Sequence, residues 1–320
     1  MTWDDILAID TDDAAPLGER VNALFEQQRR TWPLLRDGEA ALTHLQKRTL
    51  TADDGTIVVQ MNPARRRSTQ AKTDAAAVAQ RPCFLCPQNM PAEERGVAFE
   101  DLVVMPNPFP ILPGHCTIAS REHEPQQFAP RVEQFLRLTG AIGPDLAALY
   151  NGPRCGASAP DHLHFQAARA DEIPAFGQLP APAGATSPEP VESFGRRFFV
   201  LRGDEIEPLA AGLQSVLAAL SAGMADSADG EPLVNVAARC VAGEWTVAIF
   251  PRIAHRPARY FADGPERLLV SPAVLEMGGI LVATEPDDFA RLDAALAREI
   301  YDEVSISAAD FALVRGQITR

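Results

Sequence analysis

The sequence lacks the marks of secreted, membrane and nucleic-acid-binding chains. It has five cysteines in 320 residues, at 83, 86, 116, 155 and 240. An odd, sparse set makes no disulfide framework and suits a reducing compartment. No run of 18 consecutive apolar residues occurs, so no membrane span is expected. The start, Met1-Thr2-Trp3-Asp4-Asp5, has neither the basic residues nor the apolar run of a signal peptide, and a cytoplasmic location is expected. Positive charge is scarce: 29 Lys and Arg against 43 Asp and Glu leave a formal net charge of −14. That field repels phosphate at long range. It argues against nucleic acid or an anionic membrane as partner, while leaving room for one local basic pocket.

What is present is an ordinary globular mixture, 46% hydrophobic and 22% charged. The length suits two domains or one duplicated unit. Leu17, Val21, Leu24 and Phe25 recur at helical spacing. Residues 42–50 and 56–61 read as a hairpin about Asp53-Asp54-Gly55. Leu102–Met105 and His115–Ile118 form a second antiparallel pair with a wide, proline-bearing turn. Residues 131–149 read as a helix, with a break signal at Gly143-Pro144, and 162–168 as a strand. The stretch 177–190 holds four Pro and two Gly and reads as a linker. Beyond it come a strand at 196–202, a helix at 206–220, a hairpin of 233–240 and 244–251, a strand at 279–283 and a helix over about 287–303. Strands, hairpin and long helix recur without a strict period, which fits a diverged duplication. The expected units are 1–176, carrying the chemistry, and 191–320, without it.

The most informative run is Asn151-Gly-Pro-Arg-Cys-Gly-Ala-Ser-Ala-Pro-Asp-His-Leu-His-Phe-Gln166. On a strand, His162, His164 and Gln166 share one face while Leu163 and Phe165 take the other. By itself H-x-H-x-Q also fits the solvated face of an edge strand. The loop before it shifts the balance. Gly152, Gly156, Ala157 and Ser158 leave the backbone unshielded, so N–H groups can approach an anion. An anion loop beside a neutral imidazole is what nucleophilic attack on phosphorus needs. Arg65, Arg67 and Lys72 form a locally basic stretch. It reads either as a solvated charge run or as the positive charge a diphosphate requires.

The run resembles the active-site strand of the transferase branch of the histidine-triad superfamily. That branch holds galactose-1-phosphate uridylyltransferase, dinucleoside tetraphosphate phosphorylase and GDP-hexose phosphorylase. Gly156-Ala157-Ser158 followed by His162-Leu163-His164-Phe165-Gln166 is closest to the phosphorylase wording of the motif. Asn107-Pro108-Phe109-Pro110 through His115 is similar to the nucleotide-binding hairpin. Cys83-x-x-Cys86 with His123 resembles the zinc half-sites of the uridylyltransferases. Phe250-Pro251-Arg252 through Glu276-Met277 is a fainter match to their C-terminal half. The whole chain is similar to a bacterial group within the superfamily.

The resemblance implies an α+β fold of duplicated histidine-triad-like units, antiparallel sheets with helices packed on one face. It implies His164 as nucleophile on the α-phosphorus, with the His162 carbonyl orienting its ring. Gln166 would bond phosphoryl oxygens, and Asn151 would touch a phosphate. Gly156, Ala157 and Ser158 would bind phosphates through their N–H groups, and Asn107 would reach ribose or base. Glu276 stands where the uridylyltransferases place a sugar-binding glutamate. Cys83, Cys86, His123 and His162 make a Cys₂His₂ set for one structural zinc, with inert buried thiols as the alternative. No organic cofactor is expected. Cys116, Cys155 and Cys240 read as packing residues, and His44 and His255 as lone histidines. An amide at 166 cannot exchange a proton near pH 7, which favours passing the intermediate to a phosphate-bearing acceptor over water. The expected activity is therefore a nucleotidyltransferase or phosphorylase. Its substrate would be a nucleoside diphosphate sugar or dinucleoside polyphosphate, and its acceptor phosphate or a sugar 1-phosphate. A hexose-1-phosphate uridylyltransferase proper and a non-catalytic nucleotide-binding protein are the alternatives. The sequence leaves base, sugar and oligomeric state open.

Overall fold

The computed structural model describes residues 1–7, 14–70, 76, 78, 80–179, 187–223 and 230–318. Among these, twelve strands form two sheets. The large sheet has nine strands, all antiparallel to their neighbours. They are β3 (Val97–Phe99), β4 (Leu102–Pro106), β5 (Cys116–Ser120), β6 (Leu146–Asn151), β7 (His164–Arg169), β8 (Glu189–Ser193), β9 (Arg196–Gly203), β10 (Val234–Val241) and β11 (Glu244–Pro251). Their order across the sheet is 3-4-5-7-6-10-11-9-8. The small sheet joins β1 (Gln46–Ala52), β2 (Gly55–Met61) and β12 (Ile280–Ala283), with β12 parallel to β2. The strand at 280–283 thus leaves its own half and joins the N-terminal hairpin.

The duplication is visible in the topology. A hairpin (β4, β5), the helix Val132–Ile142 and a second hairpin (β6, β7) lie in the order 4-5-7-6. A hairpin (β8, β9), the helix Ile206–Gly223 and a hairpin (β10, β11) lie in the order 8-9-11-10. The copies meet edge to edge where β6 pairs with β10, from Ala148↔Ala238 to Asn151↔Asn235.

The two sheet faces bury different partners. Phe165, Tyr150, Ile118, Val236 and Ile249 pack on the helices Leu17–Thr31, Val132–Ile142, Ile206–Gly223 and Ala308–Ile318. Leu149, Phe198, Ala237 and Phe250 pack on the small sheet and the helix Ala294–Val304. Helix Ile206–Gly223 is long and apolar enough to cross a membrane. It buries Leu209, Leu213, Val216, Leu217 and Leu220 in the core and is explained as a core helix.

Several expected bounds move. The helix expected over 131–149 ends at Ile142, and Leu146–Asn151 is a central strand. The last expected helix is two, Pro286–Arg291 and Ala294–Val304, separated where Asp293 caps the second. A further helix, Ala308–Ile318, follows. In the expected linker, residues 180–186 lie outside the described residues, and Glu189 already belongs to β8.

Candidate active site

The strand holding the motif begins at His164, not at residue 162. His162 N–H donates to the Ala159 carbonyl in a turn (3.1 Å). The expected alternation still holds. Leu163 and Phe165 are in the helix-side core, while His162 and His164 are buried on other contacts.

Partners fix both tautomers. A carbonyl only accepts, so a ring nitrogen beside one must carry the proton. His164 Nδ1 donates to the His162 carbonyl (2.8 Å), which leaves Nε2 with its lone pair. Burial pushes His164 down to about 4, so the imidazole is neutral. His162 Nε2 donates to the Ser120 carbonyl (2.8 Å). Its Nδ1 then faces Cys83 Sγ at 3.2 Å and Cys86 Sγ at 3.6 Å.

Gln126 was not foreseen. It is 1% exposed, and its Oε1 accepts the His164 N–H (2.7 Å). Its Nε2 donates to the carbonyls of His164 and Asn151, both at 2.9 Å. β6 and β7 pair only as far as Leu149↔Gln166. Beyond that rung the Gln126 amide bridges them, and the chain between, residues 152–163, opens into the loop. In the second copy the corresponding hairpin closes tightly through Ala242-Gly243.

Gln166 is oriented by His115, which is 1% exposed. Ile111 N–H donates to His115 Nδ1 (3.1 Å), so Nε2 carries the proton and meets Gln166 Oε1 (3.3 Å). The Gln166 Nε2 group is thereby left as a donor for a ligand. Asn151 is 4% exposed, and its Oδ1 accepts from Asn235 Nδ2 (2.9 Å) and Val274 N–H (2.8 Å). Its Nδ2 group is likewise left as a donor.

The backbone donors of the glycine loop differ from residue to residue. Gly156 has φ 118, and a Cβ there would lie 2.7 Å from the Ala273 Cβ, so glycine is required twice over. Ala157 N–H turns inward to the Gly152 carbonyl (3.3 Å) and is not offered to a ligand. Among the described residues the N–H groups of Gly156 and Ser158 have no such partner.

The other expected residues fall as follows. Asn107 Oδ1 accepts Phe109 N–H (2.9 Å) and its Nδ2 reaches Thr117 Oγ1 (3.4 Å), so the side chain is engaged in its own hairpin. Arg65 donates to the Phe109 carbonyl (2.8 Å). Its charge is felt by both His115 and Glu276, which places it between the hairpin and the second copy. Glu276 is 6% exposed and caps the helix Val274–Met277 by accepting Ala273 N–H (2.9 Å). Lys72 and the Arg67 side chain lie outside the described residues. Asn235 and Arg252, which stand behind Asn151, were missed as site residues. A single Asn in the apolar strand Val234–Ala238 was the available signal. Gln126 carried none.

Cys83, Cys86, His123 and His162 bring their ligand atoms within 4.8 Å of one another. Metal–ligand bonds of about 2.0–2.3 Å need donor separations of this order. The Ser120 carbonyl supplies the outer hydrogen bond that holds a ligating histidine. The four residues can therefore hold a metal ion. Ile6, Leu85, Met90, Val103 and Met105 pack around the cysteines.

Two family models match the chain. A domain of unknown function (DUF4922) covers residues 24–169, and a GDPGP1-like C-terminal domain covers 191–320. No curated protein matches the sequence. Among solved structures, yeast Ap4A phosphorylase Apa2 matches over 91% of this chain and 94% of its own, at 16% identity and TM-score 0.62. Apa2 in complex with Ap4A matches over 90% and 98%, at 15% identity and TM-score 0.64. The chain has the α+β fold of Apa2 along nearly its whole length.

Proposed function

We propose that the protein is a nucleotidyltransferase of phosphorylase type that works through a covalent nucleotidyl-histidine on His164. The observation that carries this is the pinned ring: Nδ1 is held by the His162 carbonyl, so Nε2 is a neutral nucleophile. Nε2 attacks the α-phosphorus of a nucleoside diphosphate sugar or dinucleoside polyphosphate. The bond from that phosphorus to the bridging oxygen breaks, and the leaving phosphate departs as an anion that needs no proton from the protein. Gln166 Nε2, Asn151 Nδ2 and the N–H groups of Gly156 and Ser158 face the phosphoryl oxygens. An oxygen of inorganic phosphate or a sugar 1-phosphate then attacks phosphorus and frees His164. The GDPGP1-like match and the Apa2 fold support this class. Dependence on hexose 1-phosphate would instead mark a uridylyltransferase.

We assign the metal position to zinc. Its role is structural: four protein ligands leave no open position. His162 would be held at its Nδ1 while its carbonyl holds His164. Metal analysis should find one zinc per chain in the purified protein and none in Cys83→Ser; full occupancy in that variant overturns the assignment.

The activity test is incubation with UDP-, GDP- and ADP-hexoses and with dinucleoside polyphosphates, with and without phosphate. Intact mass should show a nucleotidyl adduct on the wild type and none on His164→Ala. Turnover should fall about 10⁴-fold in that variant, equivalent to about 5.5 kcal/mol of barrier. Retention of a tenth of the wild-type rate removes His164 from this role, and binding without any adduct leaves a nucleotide-binding protein.

A further inference from the structure

The copy without the histidine motif sends one unusual group toward the site. Arg252, just past the end of β11, is 0% exposed. All five guanidinium N–H groups are engaged. Nε donates to the Val304 carbonyl (3.1 Å), and NH1 to Asn235 Oδ1 and the Pro272 carbonyl (3.1 Å). NH2 donates to the carbonyls of Ala254 (3.0 Å) and His255 (3.1 Å). Every acceptor is neutral, and among the described residues no carboxylate forms an ion pair with this guanidinium; the buried Glu276 carboxylate acts on it only at a distance. A buried charge is ordinarily paired, because leaving water is costly.

The direction of the bonds gives this charge a use. A guanidinium has no acceptor, so Asn235 must turn Oδ1 toward it. Asn235 Nδ2 then donates to Asn151 Oδ1 (2.9 Å) and to the Cys155 carbonyl (2.8 Å). Asn151 in turn is left with its donor group for a ligand. Charge and orientation run in one line from Arg252 through two amides to the mouth of the 152–158 loop, each bond polarising the next.

We propose that Arg252 is a positioning residue for the phosphate site: through Asn235 it locks Asn151 as a donor, and its unpaired charge makes the site one for anions. This rests on the reading of that loop as a phosphate site. In the free protein the Glu276 carboxylate acts on this charge only from a distance, and the substrate's phosphates would add counter-charge at the site itself.

Asn235→Asp tests it. A carboxylate pairs with Arg252 and supports folding, but it donates nothing to Asn151 and cancels the charge. The probes are inorganic phosphate, AMP and GMP, followed by calorimetry on the full chain. Folding should persist, while affinity for all three falls by about tenfold or more, the range expected for losing a charge-assisted bond. The loss should be equal for the two bases, and it should be non-additive with Asn151→Ala, since the two act as one unit. Affinity within about twofold of wild type, or additive losses, overturns the proposal. If Asn235→Asp fails to fold, Arg252→Lys against Arg252→Met reads the same point. Lysine keeps charge and donors and should bind more tightly; equal affinities overturn the proposal. Absence of anion binding by the wild type overturns both this inference and the phosphate-site reading. Normal binding without a covalent adduct defeats only the proposed reaction.

Discussion

At the residue scale, the site is a set of neutral groups whose orientations are imposed from behind. His164 offers Nε2 because a carbonyl occupies Nδ1, and Gln166 offers Nε2 because His115 occupies Oε1. In the proposed reaction the second of these would separate transfer from hydrolysis. There Gln166 would hold a phosphoryl oxygen, and an amide cannot take a proton from water. Gln166→His puts a titrating group there. The expected outcome is slower transfer and a rise of about tenfold or more in the share of acceptor-independent nucleoside monophosphate release, a part of the about 10²–10⁴-fold that a positioned general base contributes. An unchanged partition would show that the amide does not set acceptor choice. The placement of these side chains was legible early because H-x-H-x-Q is local: alternation on a strand settles which side chains share a face. Gln126 was illegible for the opposite reason. It lies in a polar run, Glu122-His-Glu-Pro-Gln126, that gives no sign of burial, and its role exists only once two distant strand ends flank it. The Ala157 N–H was misjudged because its use depends on the turn at Gly152, which composition does not specify.

At the scale of elements, the opening between β6 and β7 depends on one side chain. Gln126 replaces a ladder rung with an amide that both accepts and donates. Gln126→Glu can still accept the His164 N–H but cannot donate, so the carbonyls of Asn151 and His164 lose their partner. A buried unpaired polar group costs about 1–3 kcal/mol. Denaturant titration should show a loss of that order, with the rate falling further than stability because the His164 carbonyl is released. A variant as stable and active as wild type would remove Gln126 from the opening. The strand β6 itself was mistaken for the tail of a helix. Its run Leu146-Ala-Ala-Leu-Tyr150 is apolar throughout, because β6 is buried on both faces between β7 and β10. Such a strand has no alternation to read, and its Ala and Leu favour helix. The hairpin β10–β11 was legible for the converse reason, through its Ala242-Gly243 turn and β-rich flanks.

At the scale of the whole molecule, buried titratable groups of opposite kinds set the response to pH. Burial drives His115 and His255 down to about 3 from an ordinary 6.5. Their contribution is complete above about pH 6.5 and is lost as pH falls through that value toward 3. Glu231 goes the other way. Burial raises it to about 7, against the hydrogen bonds from Tyr150 (2.6 Å) and Phe128 N–H, which favour its charged form. Its contribution is complete below about pH 4.5 and is lost as pH rises through 4.5 toward 7. Between those limits it offsets one of the protons taken up by the buried histidines, among which His164 is also depressed. Glu231→Gln removes the offset. Its stability should fall on acidification from pH 6.5 to 4.5 more steeply than wild type by about one proton, or about 1.4 kcal/mol per pH unit. Parallel curves for the two proteins would show that Glu231 does not titrate in that window. The pairing of β6 with β10 bears on a different matter, the solubility of each half. Taking 1–176 and 191–320 as the units, a break in the chain between them leaves a central seam held by backbone bonds, apolar contacts and the Asn235–Asn151 amide bond. Either half without the other bares a long, uncharged strand edge, Leu146-Ala-Ala-Leu-Tyr on one side and Val234-Asn-Val-Ala-Ala on the other. Bare edges of that kind recruit further strands. The covalent tie that joins the copy with Arg252 to the copy with His164 is thus also what keeps two aggregation-prone edges permanently capped by each other.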